Sequence, residues 1–161
     1  MESKAKLFGH PVHQMLIVFP LGLLATALAF DILHFVSGNG YWSEIAYRLI
    51  AAGVLAGFIA APFGFIDWLA IPSRTRAKRV GAWHGGLNAA VLALFALSWA
   101  FRGLDPRAPS YGAYILAFGA GALAIVAGWL GGELVDRLGV GVDDGANLDA
   151  PSSLRSPRIR G

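Results

Sequence analysis

Three histidines and two carboxylates stand near the ends of four separate apolar runs: His10, His13, Asp67, His84 and Glu133. Imidazole nitrogens and carboxylate oxygens are the ligands that suit iron, zinc and manganese. They are also the groups from which intramembrane proton relays are built. His10 and His13 have the spacing that puts two side chains on one face of a helix, and Pro11 suits a helix's first turn. His84 has Asn88 one turn further along the same face. Asp67 precedes Pro72 by five residues, which places it roughly 7 Å inside a helix end. An unpaired carboxylate at that depth in a membrane costs a few kcal/mol, so it requires a partner. In the non-haem form of this chemistry, His10, His13 and His84 give nitrogens to a transition metal, while Asp67 and Glu133 give oxygens or orient the rings. In the haem form, His84 and one of His10 or His13 are axial ligands of a b-type haem, and Gly85, Gly86, Gly131 and Gly132 make room for it. Copper(I) is disfavoured, because there is no cysteine and Met15 is the one methionine near the site.

These side chains meet only if the elements between them cross something in alternating directions. The chain of 161 residues is 56% hydrophobic and 14% charged, with a mean hydropathy of +0.58, which is the composition of a membrane protein. A membrane-spanning helix needs about 20 mainly apolar residues. Four runs meet that length, near 13–36, 44–71, 81–101 and 111–134. Turn-rich breaks separate them: Ser37-Gly38-Asn39-Gly40, Pro72-Ser73-Arg74, and Arg102-Gly103-Leu104-Asp105-Pro106. Spanning strands would be half as long and would alternate. Helices of a soluble bundle would each carry a polar stripe, and these runs are apolar nearly all round. The first run is too long for a signal peptide, and no small-residue cleavage site follows it. The fold expected is an all-α, antiparallel up-down four-helix transmembrane bundle over 1–138. An extended or disordered tail over 139–161 follows, rich in Gly, Asp, Ser, Pro and Arg. The tail's Asp143, Asp144 and Asp149 are expected near the basic second loop. No internal repeat shows beyond the helical hairpins.

Charge sets the orientation. Lys4 and Lys6 precede the first run; Arg74, Arg76, Lys78 and Arg79 follow the second; Arg137, Arg155, Arg158 and Arg160 follow the fourth. The first connection has no Lys or Arg, and the third has Arg102 and Arg107. The positive-inside rule puts both termini cytoplasmic, and the five-residue cluster with them. Trp68, Trp83 and Trp129 would mark that interface, and Tyr41, Trp42, Trp99 and Tyr111 the opposite one. The net charge of +3 is a topology signal and not a nucleic-acid footprint. Without cysteine there is no disulfide, thiolate metal site or thiol catalysis. Nucleophile elbows, phosphate loops, dinucleotide fingerprints and HExxH are also missing. Gly53 with Gly57, Gly81 with Gly85, and Gly128 with Gly132 have the small-residue spacing of close helix packing. Pro20 and Pro62 fall inside runs and are expected to kink them. At the far end, Asp31, His34, Glu44 and Arg48 are expected to pair as structural charges, Asp31 with Arg48.

Gly9-His10-Pro11-Val12-His13, Asp31, Asp67, His84 and the run Gly128-Trp129-Leu130-Gly131-Gly132-Glu133-Leu134-Val135 form a recognisable pattern. It resembles the bacterial membrane family known as domain of unknown function 2231, over nearly the whole chain. Family members typically have proline after the second histidine, where this chain has Gln14. The resemblance implies a multi-pass protein of the bacterial inner membrane. It also implies a redox partner such as a Rieske-type iron–sulfur domain, but it supplies no activity. Three functions follow from the residues. The first is a metal- or haem-binding protein with a redox or electron-transfer role. The second is a proton-coupled carrier in which Asp67, His84 and Glu133 open a relay continued by Asp31 and His34, for which a homo-oligomer is expected. The third is a structural membrane partner whose polar cluster only holds the bundle together. An open metal position leaves room for an enzyme, with no substrate named.

Overall fold

The computed structural model describes residues 1–154. The end of the tail, with Arg155, Arg158 and Arg160, lies outside the described residues. A short antiparallel hairpin comes first, β1 (Lys6–Leu7) against β2 (His10–Pro11). Its turn residues, Phe8 and Gly9, both have positive φ, as a two-residue hairpin turn requires. Helices α1 (Val12–Leu16) and α2 (Val18–Ser37) follow with one residue between them. That break explains Pro20. It cannot bond back to Leu16, so it stands in the first turn of the second piece, where prolines are tolerated. Helix α3 spans Gly40–Ala70 with Pro62 inside it, α4 spans Arg76–Arg102, and α5 spans Tyr111–Gly132. A π-helical turn over Glu133–Arg137 carries α5 on to Leu138.

Four helices, Val12–Ser37, Gly40–Ala70, Arg76–Arg102 and Tyr111–Arg137, are long and apolar enough to cross a membrane. The third begins five residues before the expected start at Gly81, because Thr75 caps it. Thr75 Oγ1 accepts from Lys78 N at 3.1 Å, and Lys78 Nζ then reaches back to Trp68 O at 2.7 Å. Arg76, Lys78 and Arg79 therefore ride on a helix and not in a loop.

Packing is inside out relative to a soluble protein. Buried positions are mostly small: Ala27, Ala46, Gly53, Gly57, Ala117 and Ala120. Large apolar side chains such as Leu21, Phe58, Trp83, Ile115 and Ile125 point outward. Small residues let helix backbones approach where lipid offers no hydrophobic penalty to association. α2 packs chiefly on α3, and α4 chiefly on α5. Between them, Leu24, Ile50, Val91 and Phe95 form the middle of the core. Of the expected glycine pairs, Gly53 and Gly57 do pack, against Leu24 and Leu92. Gly81 meets Trp68, whereas Gly85, Gly128 and Gly132 face open space.

The tail begins by docking on the N-terminal segment. The Met1 amine donates to Gly139 O at 3.0 Å, and Gly141 N donates to Met1 O at 2.9 Å. Asp143 and Asp144 lie 3.8 Å from Lys6 and 3.5 Å from the Met1 amine, so their ion-pair partners are in the N-terminal segment. Lys6 also pairs with Glu2; that bond holds the Glu2 carboxyl below the usual range and Lys6 above its own.

Candidate functional site

The five residues singled out by the sequence gather at one end of the bundle, yet each is held differently. His10 and His13 do not share a helix face. A residue before proline is pushed to extended backbone, so His10 sits in β2 while α1 starts only at Val12. His10 is exposed, and its Nε2 lies 3.2 Å from Ser153 Oγ.

Asp67 does have the partners its depth demands, and they are a serine hydroxyl and two backbone amides. Its oxygens accept from Ser3 Oγ at 2.8 Å, from Lys4 N at 2.7 Å and from Ala5 N at 3.3 Å. The carboxylate thus ties the N-terminal segment to the end of α3. Glu133 is paired with Arg76 across α4 and the π-helical turn. Among the described residues, no group of three His, Cys, Asp or Glu side chains is placed to hold a metal ion.

His13 and His84 are held alike. His13 Nδ1 lies 3.1 Å from Ala60 O on α3, and His84 Nδ1 lies 2.8 Å from Ala127 O on α5. A carbonyl oxygen only accepts, so Nδ1 carries a proton in both rings, and in a neutral ring Nε2 is then the nitrogen with the lone pair. Each ring lies against a glycine one turn beyond the residue whose carbonyl it bonds. A Cβ on Gly64 would come within 2.7 Å of His13 Cε1, and one on Gly131 within 3.0 Å of His84 Cε1. Asn88 Nδ2 donates to His84 O at 2.8 Å and stands 3.4 and 3.3 Å from the two ring nitrogens. Equidistance puts it over the ring face and off the Nε2 lone-pair direction.

The opposite end holds a polar group whose key member the sequence concealed. Arg102 is the last residue of α4 and not a loop residue, and it and Asp31 are both 0% exposed. Its guanidinium donates bidentately to Asp31, NH1 to Oδ1 at 2.7 Å and NH2 to Oδ2 at 2.6 Å. Its Nε donates to Ser98 Oγ, and it stands over the Tyr114 ring. Tyr114 OH bonds Ser43 Oγ, and its ring stacks on His34. Arg48, the partner expected for Asp31, instead pairs with Glu44 one turn away on α3. Glu44 also binds Arg107. The only sign of Arg102's role in the sequence is its position directly after an unbroken apolar run.

A family model described as "Predicted membrane protein (DUF2231)" matches residues 9–144 of the chain. No curated protein and no solved structure matches it.

Proposed function

The chain belongs to the DUF2231 family of predicted membrane proteins, and on that premise we propose that it is a membrane-embedded, haem-binding redox module with His13 and His84 as the ligand pair. One observation carries the reading: both rings give Nδ1–H to a backbone carbonyl, which turns Nε2 away from that carbonyl as the nitrogen available to a metal, with the Asn88 amide 3.3 Å from that of His84. Metal-ligating histidines adopt this arrangement, since the carbonyl fixes the tautomer and makes the far nitrogen a better donor. With no third ligand at hand among the described residues, a bare ion would hold only two protein nitrogens. A haem brings four nitrogens of its own and needs only two axial ones, so haem is favoured over isolated iron, zinc or manganese. The open surroundings of Gly85, Gly128 and Gly132, next to His84 and the helix that holds its ring, supply side-chain-free surface for the edge of an apolar macrocycle. When bound, haem would supply one-electron transfer. The chain's own residues orient the two imidazoles and put a proton on Nδ1 of each.

The charge pattern supports an orientation with both termini, the second connection and this site on the cytoplasmic side of a bacterial inner membrane. Electrons would then pass to a partner at the headgroups, for which an iron–sulfur domain is the suggested class. The test is an absorption spectrum with elemental analysis of protein purified gently from haem- and metal-replete cells. A Soret band and one iron per chain are expected; colourless, metal-free protein overturns the reading.

One observation favours a purely structural role. Among the described residues every buried side-chain nitrogen and oxygen already has a partner. On that reading, alanine at His13 or His84 lowers stability and changes no bound metal. The carrier reading is not adopted: Asp31 has both oxygens fixed on Arg102 and is not free to pass protons.

A further inference from the structure

Burial shows a repeat that the residue types hide. A shift of 71 residues carries Leu24, Ala27 and Asp31 of α2 onto Phe95, Ser98 and Arg102 of α4, and all six are buried. A shift of 67 carries Ala46, Ile50, Gly53 and Ala60 of α3 onto Ala113, Ala117, Ala120 and Ala127 of α5, and all eight are buried. The difference of four residues lies between Asp31 and Ala46 in one hairpin and Arg102 and Ala113 in the other, a stretch that takes in the helix ends as well as the connection. Each hairpin also makes its chief contacts within itself.

The same two shifts carry His13 onto His84, Ala60 onto Ala127 and Gly64 onto Gly131. The hydrogen bond from ring to carbonyl and the ring's seat on a glycine are thus one arrangement built twice. The other three residues of the cluster are not repeated. His10 falls on Gly81, Asp67 on Leu134, and Glu133 on Ile66. Asp31 and Arg102 occupy equivalent positions and bond to each other. Two positions exchanged by a two-fold axis touch only beside that axis. Both hairpins start at the same end, so the axis runs along the bundle, as in parallel-repeat membrane proteins.

We infer that His13 and His84 are a single ligand position present once in each hairpin, and that they hold one metalloporphyrin as equivalent axial ligands on its two faces. The inference rests on the haem reading above, which already names the pair, and adds that the two bind as equivalents. A two-fold axis relates the two faces of a macrocycle standing parallel to it. It offers no such match to a site built from His84 and His10, because His10 has no counterpart.

The experiment titrates ferric protoporphyrin IX into the purified full-length protein in detergent, freed of any native cofactor. The unaltered protein is expected to give a low-spin, bis-imidazole spectrum. His13→Gly and His84→Gly should each weaken binding at least about tenfold, and to the same extent within about threefold. Each should leave high-spin iron, and millimolar imidazole should restore the low-spin spectrum in both. His10→Ala should change nothing. A high-spin spectrum from the unaltered protein overturns the pairing without recourse to any variant. If both variants lose binding but to extents more than about threefold apart, the equivalence is wrong and the haem reading stands; if one variant binds as the unaltered protein does, the pairing is wrong as well. If the unaltered protein takes up no porphyrin, the haem reading fails and this inference with it.

Discussion

At the scale of single residues, the strongest commitment in the molecule is the pair Asp31 and Arg102, both at 0% exposure. Removing one member leaves the other as an uncompensated buried charge, so Asp31→Ala or Arg102→Ala should each cost about 3–5 kcal/mol. Replacing both by leucine should restore most of that, because a buried ion pair gains little over well-packed apolar side chains once desolvation is counted. Reversible unfolding in mixed detergent micelles measures this; a double variant as unstable as the singles would contradict it. That Asp31 needs a partner was legible from its place in an apolar run. Which partner was not, because Arg48 satisfies Glu44 locally at one-turn spacing, and Arg102 looks like the first residue of a turn. Asp67 shows the same limit. Its need for donors was legible, but their supply by Ser3, Lys4 and Ala5 depends on a hairpin that folds the N-terminal segment back over the bundle. Asp67→Ala should therefore speed amide hydrogen exchange at Lys4 and Ala5 while leaving that of α5 unchanged.

At the scale of elements, the seams between helices are set by where a side chain is missing. A Cβ on Gly57 would come within 2.5 Å of Leu92, whereas one on Gly128 meets nothing within 4 Å. Gly57→Leu should force α3 and α4 apart and cost roughly 1–3 kcal/mol, the usual range for overpacking. Gly128→Ala should fall within about 0.5 kcal/mol of the unaltered protein, as surface changes do. The same unfolding measurement separates them, and equal losses would mean that the glycines pack in some other way. Helix existence was legible, since four apolar runs of spanning length leave little alternative. Boundaries were not: α4 starts at Arg76 because Thr75 caps it and Lys78 snorkels back to the end of α3. The two-residue strands were hidden by the His-Pro spacing, which fits a helix start as well as a strand followed by one. The repeat of hairpins was invisible because burial is conserved between the halves while chemistry is not, with Ile50 against Ala117 and Asp31 against Arg102.

At the scale of the whole molecule, the exposed belt of large apolar residues and the core of alanine and glycine mean that the bundle is built for lipid outside and close backbones inside. Its side-to-side direction is then set by cations. Arg74 and Arg79 stand exposed at the second connection, while the first connection, Gly38–Asn39, has none. Arg102, formally at the third connection, does not vote, because its charge is buried against Asp31. Discounting it sharpens the asymmetry, from which the positive-inside rule predicts a cytoplasmic second connection. The chain has no cysteine, so each introduced thiol reports alone. Ser37→Cys and Ala108→Cys, both at exposed positions, should react with a membrane-impermeant maleimide on intact spheroplasts. Ser73→Cys and Ser152→Cys, equally exposed, should react only after lysis. The opposite pattern would invert the molecule and move His13 and His84 to the outer face, where their redox partner would have to be extracytoplasmic. Because Ser73 and Ser152 must label together whichever way the bundle points, a split between them would refute the even number of crossings itself.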